Sequence, residues 1–535
     1  MSFFFRFISV FLLLLAQSAG AVEAPRLVVL VAVDQLRADR LTADLPGGLG
    51  RLVREGYVFT RATVDHGLTN TCPGHVVMST GVSPAKAGIP GNSYVDHQTM
   101  QSRYCVDDND ENHRVIGGTR LRSPNEIRVS SLGDWLKQKS PGARVVAVSA
   151  KDRAAITLGG KQADRVFWLG RETGNFTTSG YYGELPSYVK AFNQTSLFAA
   201  GAGARLPETW DHSPGSVRKD DYPGESQRYL RHSGHPLNQG EKPADQVYYS
   251  PFIDELTGEL ARLAFEEEKL GRRGVTDLLA VSFSAIDTVG HLYGPYSAES
   301  ADTLDRLDRE MGRLLDTLDQ SLDGQYLLAL SSDHGVLPLP EWLVETQTGT
   351  CPVPEGRIDM NALGLGTYWK LYWSHTKPFG NPAELIGFSS AGIVINRRYA
   401  EQLDLSFDEV KRTLETYLEE QPFVREVWTQ EEIETRDDEF ARLFRHSYVP
   451  GKSGHLVVQL HEGCLVYGNE GTSHGSPYGY DRRVPLVFFG QGVERAIDPA
   501  PAHSLDIAPT LGARLGLILP SDLDGQVREI WQKSQ

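Results

Sequence analysis

Three carboxylates and three imidazoles stand out by type and spacing in the 535-residue chain. Asp287 and His291 form D-x-x-x-H in SAIDTVGHLYGP, Asp333 and His334 are adjacent in SSDHG, His474 lies in GTSHGS, and Asp34 closes the run RLVVLVAVD. Oxygen and nitrogen donors in that number suit two zinc ions with three ligands apiece, leaving open positions for substrate and water. Any one of these histidines is as readily a structural or surface residue, so the set carries the reading. A second feature is TNTCPGHVVMSTG at 69 to 81, where a hydroxyl, a thiol and an imidazole crowd a Pro-Gly that opens a helix. Thr71 reads there either as an ordinary N-cap or as a hydroxyl beside an anion held by free N–H groups and the helix dipole.

Residues so far apart in sequence need a sheet to bring them together. RLVVLVAVD (26 to 34), LLAVSFSAID (278 to 287) and YLLALSSDHG (326 to 335) are apolar runs that lead to aspartate, and VPLVFFG (484 to 490) is a fourth run of the same kind. Such runs mark strands buried on both faces, as in a parallel sheet covered by helices. Amphipathic stretches at 251 to 271 and 297 to 322 supply helices between them. The pattern predicts an α/β fold, an αβα sandwich around a mostly parallel sheet, and sheets of that kind gather ligands at the carboxyl ends of their strands. Residues 172 to 250, rich in Gly, Tyr, Ser, Pro and Asn, read as an elaborated loop region. Residues 341 to 465 read as an inserted cap: AGIVINRR and FVREVWTQEEI suggest strands, and LSFDEVKRTLETYLEE a helix. The expected division is a segment 1–21, a catalytic domain made of 22–340 and 466–535, and the cap between its parts.

Hydrophobic residues make up 40% and charged residues 23%, which is globular composition. A formal net charge of -16 argues against an extended nucleic-acid or anionic-membrane surface. The start, MSFFFRFISVFLLLLAQSAGAVEA, has one arginine, an apolar run from Phe7 to Ala16, and small residues ending Ala19-Gly20-Ala21. This pattern fits a secretory signal peptide cleaved after Ala21, and the run is too short to span a bilayer. Periplasmic or secreted location, with no stable membrane anchor, is therefore expected. The four cysteines can then form disulfides in any of three connectivities, and sequence proximity favours Cys72 with Cys105 and Cys351 with Cys464. There is no C-x-x-C for a thiolate zinc site.

DQLR after the first strand, T-x-T-C-P-G-H-x-x-x-x-T-G, G-I-x-G-N, S-x-x-D-x-x-G-H-x-x-G-P, S-D-H-G, the late S-H-G and LDIAPTLGARLG occur in an order that resembles the alkaline phosphatase superfamily. Apart from the loop region and the cap, the likeness spans residues 26 to 525. SAKDRAAI at 149 to 156 is similar to the S-x-K-x-R segment of the monoesterase branch that uses threonine as nucleophile. The resemblance implies one zinc on Asp34, Asp333 and His334, with Thr71 as a further ligand, and a second on Asp287, His291 and His474. It implies that Thr71 attacks phosphorus in line and is itself phosphorylated before water releases phosphate. Asn92, Lys151 and Arg153 would hold the non-bridging oxygens of a small phosphate monoester. The lysine takes the space of a third, magnesium site, so no magnesium is expected, and His75 is assigned a structural role. Cys72 departs from the pattern, which favours a small residue there.

Other readings remain. A phosphodiesterase or nucleotide pyrophosphatase of the same superfamily would share most of these motifs. GTSHG also matches the G-x-S-x-G elbow of serine hydrolases, with Ser473, Asp481 and His503 in triad order, although the loop-like SPYGYDRR follows where that elbow requires a helix. A non-catalytic zinc-binding scaffold is a third class. Without GxxxxGK[ST], a P-loop ATPase has no support.

Overall fold

The computed structural model describes residues 24–194, 209–211, 222–226, 235–236, 243–359, 366 and 382–532, so the expected export segment 1–21 lies outside the described residues. A nine-stranded sheet organises the chain. Its strands are β1 (Leu27–Val33), β2 (Tyr57–Thr63), β3 (Val145–Ser149), β4 (Arg165–Gly170), β5 (Asn175–Thr177), β6 (Asp277–Phe283), β7 (Tyr326–Ser331), β8 (Leu486–Gly490) and β9 (Ala496–His503). They lie side by side in the order β9-β2-β8-β7-β1-β6-β3-β4-β5. The central block β7-β1-β6-β3-β4 is parallel throughout.

All seven residues of β1 are buried, because each face of the sheet is covered. Val29, Val31 and Val33 pack with one helical layer, which includes α3 (Phe252–Glu267) and α5 (Ala298–Leu322). Val28, Leu30 and Ala32 face the other, which includes α1 (Thr71–Thr80) and α2 (Asp152–Gly159). A strand buried on both sides cannot alternate apolar with polar, hence the continuous runs in the sequence. The result is a three-layered αβα sandwich.

Two expectations change. The run 484 to 490 forms a strand, β8, but it pairs antiparallel with β7 and with β2. An apolar run signals burial and carries no strand direction. The stretch 172 to 250 holds more order than an elaborated loop: among its described residues are β5, the helix Ser187–Gln194 and the helix Pro243–Tyr248.

Between residues 341 and 465 the chain builds a separate four-stranded antiparallel sheet, in the order Ile386–Ser389, Gly392–Ile395, Leu456–Leu460, Val424–Thr429. The helix Phe407–Glu419 packs on it, and Ile393, Leu414, Leu418, Val427 and Leu456 belong to its own small core. The Cys351–Cys464 disulfide and the parallel pairing of Arg357–Asp359 with Leu465–Tyr467 bring the two ends of this region together.

Candidate active site

Register sets the site. Val33 of β1 is level with Phe283 of β6, and Ala32 with Ser331 of β7, so the three strands stop at nearly the same height. Asp34 follows β1 directly and Asp333 stands two residues beyond β7. Asp287 is not at a strand end as the sequence suggested. It sits in the first turn of α4 (Ala285–Tyr293), one turn before His291. Helical i, i+4 spacing puts both side chains on one face. Asp254 of α3 accepts the Ser284 and Ala285 N–H groups at 2.6 and 3.0 Å, which fixes the start of α4.

The side chains converge. His334 Nε2 lies 3.3 Å from Asp333 Oδ2 and 3.6 Å from Asp34 Oδ1. Asp287 Oδ1 lies 3.2 Å from His291 Nε2 and 3.6 Å from His474 Nε2. Each of these three histidines uses Nδ1 on a backbone carbonyl: His334 on Gly335 at 2.9 Å, His291 on Thr472 at 2.7 Å, His474 on Thr69 at 2.6 Å. A carbonyl accepts only, so Nδ1 carries a proton in each ring and Nε2 is the atom turned to the cluster, the arrangement that orients metal-bound imidazoles.

Metal ions fit this donor set. Asp34 Oδ1, Asp333 Oδ2 and His334 Nε2 are buried without a hydrogen-bond partner among the described residues, a costly condition unless something else binds them. Donor atoms of Asp34, Asp333 and His334 lie mutually within 4.8 Å, and so do those of Asp287, His334 and His474. The first group is the expected trio. The second has His334 in place of the expected His291, which joins the cluster through Asp287; the rings of His334 and His474 stack at 3.5 Å between centroids, so His334 faces both groups.

Charge in the cluster follows the same logic. Burial, with Asp287 and Asp333 close by, raises the Asp34 carboxyl well above its ordinary range despite Lys151. Burial works against Asp287 as well, yet Lys151 and His291 hold it well below the usual carboxylate range. Burial pushes His334 down, and burial together with His334 and His291 pushes His474 down further. Both rings are thus kept neutral, the form that coordinates a metal.

Thr71 departs from the expected cap. Asn70, with extended backbone, is the N-cap, and Thr71 is the first residue of α1. Its hydroxyl therefore makes no cap bond and instead accepts Arg153 Nη2 at 3.3 Å. The helix start also offers fewer free donors than a typical N-terminus. Gly74 N–H already bonds Asn70 O, Cys72 N–H bonds Asn92 Oδ1 at 2.8 Å, and Pro73 has none. Among the described residues that leaves the Thr71 N–H. Gly74 lets the helix approach the cluster, since a Cβ there would fall 2.4 Å from Asp333 Cβ. His75 braces the same contact, with Nδ1 2.9 Å from Thr71 O and 3.1 Å from Asp333 Oδ2, and Nε2 2.8 Å from Ser282 Oγ.

Lys151 is no solvated charge. Its ammonium is 2.5 Å from Asp34 Oδ2 and in close contact with Asp287 Oδ2, and its side chain is 1% exposed. Arg153 bonds the Tyr104 hydroxyl at 3.2 Å besides Thr71. Asn92 gives Oδ1 to Cys72, so its Nδ2 is the end left to donate. Beside these groups opens a cavity of about 660 Å³, with Tyr104, Trp168, Arg171 and Tyr248 in its wall.

Gln35 is a site residue that sequence reasoning passed over. Its N–H donates to Asp333 Oδ1 at 3.0 Å and its Nε2 to Asp287 Oδ1 at 2.7 Å, from a left-handed backbone at φ 68°. A non-glycine residue held there costs on the order of 1 kcal/mol, which the two buried bonds offset. Its only signal was its place beside Asp34 in DQLR. Tyr104, Asp152 and Arg122 were missed too, and their types and spacing give no signal.

The triad reading is not assembled. Ser473 is followed by irregular chain until a short helix at Gly479–Arg482. Asp481 accepts the Ser476 hydroxyl and the Gly475 N–H, while His503 pairs with Thr63 at 3.0 Å.

The carboxyl edge of the mostly parallel sheet thus collects three aspartates, three histidines and a helix-start threonine, and likeness to known proteins places the chain in the alkaline phosphatase superfamily, in its threonine-nucleophile branch. The sequence model of the type I phosphodiesterase / nucleotide pyrophosphatase family matches residues 28–481, and the chain belongs to that family. It is similar to alkaline phosphatase PhoK of Sphingomonas sp, with 32% identity over 95% of this chain and 92% of PhoK. Alkaline phosphatase PafA of Elizabethkingia meningoseptica is 30% identical over 96% of this chain and 95% of PafA. The crystal structure of wild-type PafA matches with a TM-score of 0.82 at 28% identity, covering 95% of this chain and 99% of that one.

Proposed function

We propose that this chain is an exported alkaline phosphatase that hydrolyses small phosphate monoesters through a phosphothreonine at Thr71. The names of PhoK and PafA carry the activity, and the chain is an enzyme of that kind. The observation that supports the detailed reading is the meeting of Thr71, Arg153 and a buried carboxylate–imidazole cluster with three unpartnered donor atoms at one sheet edge.

In this reading Asp34, Asp333, His334 and Thr71 hold one zinc ion and Asp287, His291 and His474 another, with Lys151 in the place of a magnesium site. Zinc there supplies Lewis-acid stabilisation of oxygen anions and makes a threonine hydroxyl competent near neutral pH. Thr71 Oγ forms a bond to phosphorus in line with the ester oxygen, which leaves. Water then attacks the same phosphorus, and Thr71 Oγ departs as the second leaving group. Arg153 holds Thr71 Oγ and, with Lys151, places positive charge where the phosphoryl oxygens gain negative charge. The Thr71 N–H and Asn92 Nδ2 add neutral donors. His75 and Gln35 fix the carboxylates and the helix start, so little reorganises during reaction.

Thr71→Ala should lose nearly all turnover while two zinc ions per chain remain by elemental analysis. Acid-quenched wild type incubated with labelled monoester should carry label on the peptide containing Thr71. Label on Ser473, or none, would overturn the reading. The family name keeps a diesterase in view, and a wild type faster on diesters than on monoesters would move the chain there.

A further inference from the structure

We infer that the Cys72–Cys105 disulfide is the centre of a positioning clamp that sets the distances among Thr71, Asn92 and Arg153. The inference rests on the phosphatase reading above and concerns how the same site is held.

The bond joins the residue next to Thr71 to the base of a hairpin made of Ser93–Val95 and Ser102–Tyr104. Asn92 precedes the first hairpin strand and Cys105 follows the second. Asn92 bonds both cysteines: its carbonyl accepts the Cys105 N–H at 3.0 Å and its Oδ1 accepts the Cys72 N–H at 2.8 Å. The two hydrogen bonds and the disulfide close a small ring, so Asn92 cannot move away from α1 without breaking one of them.

The other arm runs through Tyr104. Its hydroxyl donates to Asp152 Oδ1 at 2.7 Å and accepts Arg153 Nη1 at 3.2 Å. Arg122 ties Asp152 to Asp107 at 2.7 and 2.6 Å and lies over the Tyr104 ring, while Asp107 accepts the Tyr104 N–H at 2.7 Å. The hairpin base thus aims Arg153, whose Nη2 reaches Thr71 Oγ. Cys72 and Cys105 are themselves fully buried. A small residue at position 72 would fill space, but only a cysteine there connects α1 covalently to the hairpin that orients the arginine.

The clamp acts on substrate through Arg153 and Asn92, so its loss should appear as a loss of monoester selectivity. The test compares Cys72→Ala/Cys105→Ala with wild type and with Cys351→Ala/Cys464→Ala, using p-nitrophenyl phosphate and a methyl p-nitrophenyl diester. The expected result is a fall in monoester kcat/KM of roughly ten-fold or more and in diester kcat/KM of less than about three-fold, with zinc content unchanged. In an Arg153→Ala background the same pair should cost less than about two-fold further, because coupled residues are non-additive. The Cys351→Ala/Cys464→Ala control should leave the ratio of the two substrates where it is. Equal losses on both substrates, or full additivity with Arg153→Ala, would make the disulfide a stability element only and overturn the clamp. Tyr104→Phe keeps the disulfide and removes one hydroxyl. It should reproduce the selectivity loss in part, and an unchanged ratio there overturns the clamp even if the cysteine variant does not fold. A wild type without monoester activity would instead refute the phosphatase reading.

Discussion

The two largest sheets among the described residues do different work. The proposed metal ligands gather at the carboxyl edge of the nine-stranded sheet: strand register sets Asp34 and Asp333, the helix that follows β6 carries Asp287 and His291, and irregular chain before β8 carries His474. The four-stranded sheet of the inserted region carries none of them. The same region reaches the chain that leads to Thr71 through its helix Glu439–Ser447: Ser447 Oγ accepts the Gly67 and Leu68 N–H groups at 3.0 Å each, and Arg442 grips Asp65 at 2.7 Å. Each region also has its own disulfide, Cys72–Cys105 spanning 33 residues at the nucleophile and Cys351–Cys464 spanning 113 around the insert. Chemistry needs groups fixed within fractions of an ångström, and a parallel sheet buried on both faces provides that. The insert steadies the chain before Thr71.

The sharpest way to break that division is in the large sheet. Lys151→Ala with Arg153→Ala should lower monoester turnover about 10²- to 10⁴-fold, at about 1.5–3 kcal/mol per charge-assisted contact, with much smaller losses on diesters. Equal losses on both would mean that the two cations serve the fold alone. In the insert, Cys351→Ala/Cys464→Ala opens a long loop and should cost about 2–5 kcal/mol in denaturant unfolding while kcat/KM at moderate temperature stays within about two-fold. A selective loss of turnover would show that the insert does chemistry after all.

Ser447→Ala probes the contact between the regions. It leaves the buried Leu68 N–H unpaired, which should lower stability by about 1–3 kcal/mol and turnover by a few-fold. An activity loss without a change in melting would relocate its effect to the site.

The gentlest test uses Asp254, whose carboxyl burial raises to about 7 although the Ser284 and Ala285 N–H groups oppose the shift. Because the folded state holds this proton more tightly than the unfolded chain, stability from this group is full below about pH 4 and is lost as pH rises towards 7. Melting of Asp254→Asn should therefore gain on wild type across that window and run parallel above it. A constant gap would mean that Asp254 titrates normally.

Several features were legible in the chain for a plain reason. β1, β6 and β7 are buried along their whole length and largely apolar because helices cover both faces, and that burial shows in the run of residues. The ordered motifs pointed to the residues that meet at the site, and cysteine proximity announced both disulfide pairs. The direction of β8 was not legible, since an apolar run looks the same in either sense. Nor was the cap: TNTCPG marks a helix start within a residue or so, but backbone dihedrals chose Asn70.

By itself, then, the sequence determined which segments are buried strands, which donors are available to metals, and that a threonine opens a helix. Tertiary structure alone decided that Lys151 lies between Asp34 and Asp287, that Gln35 bridges Asp287 and Asp333, and that Asn92 and Tyr104 are tied to Thr71 and Arg153 through a hairpin base. Burial and periodicity are properties of a local stretch. Contacts between residues dozens to hundreds of positions apart depend on strand register and loop closure, which no local pattern encodes.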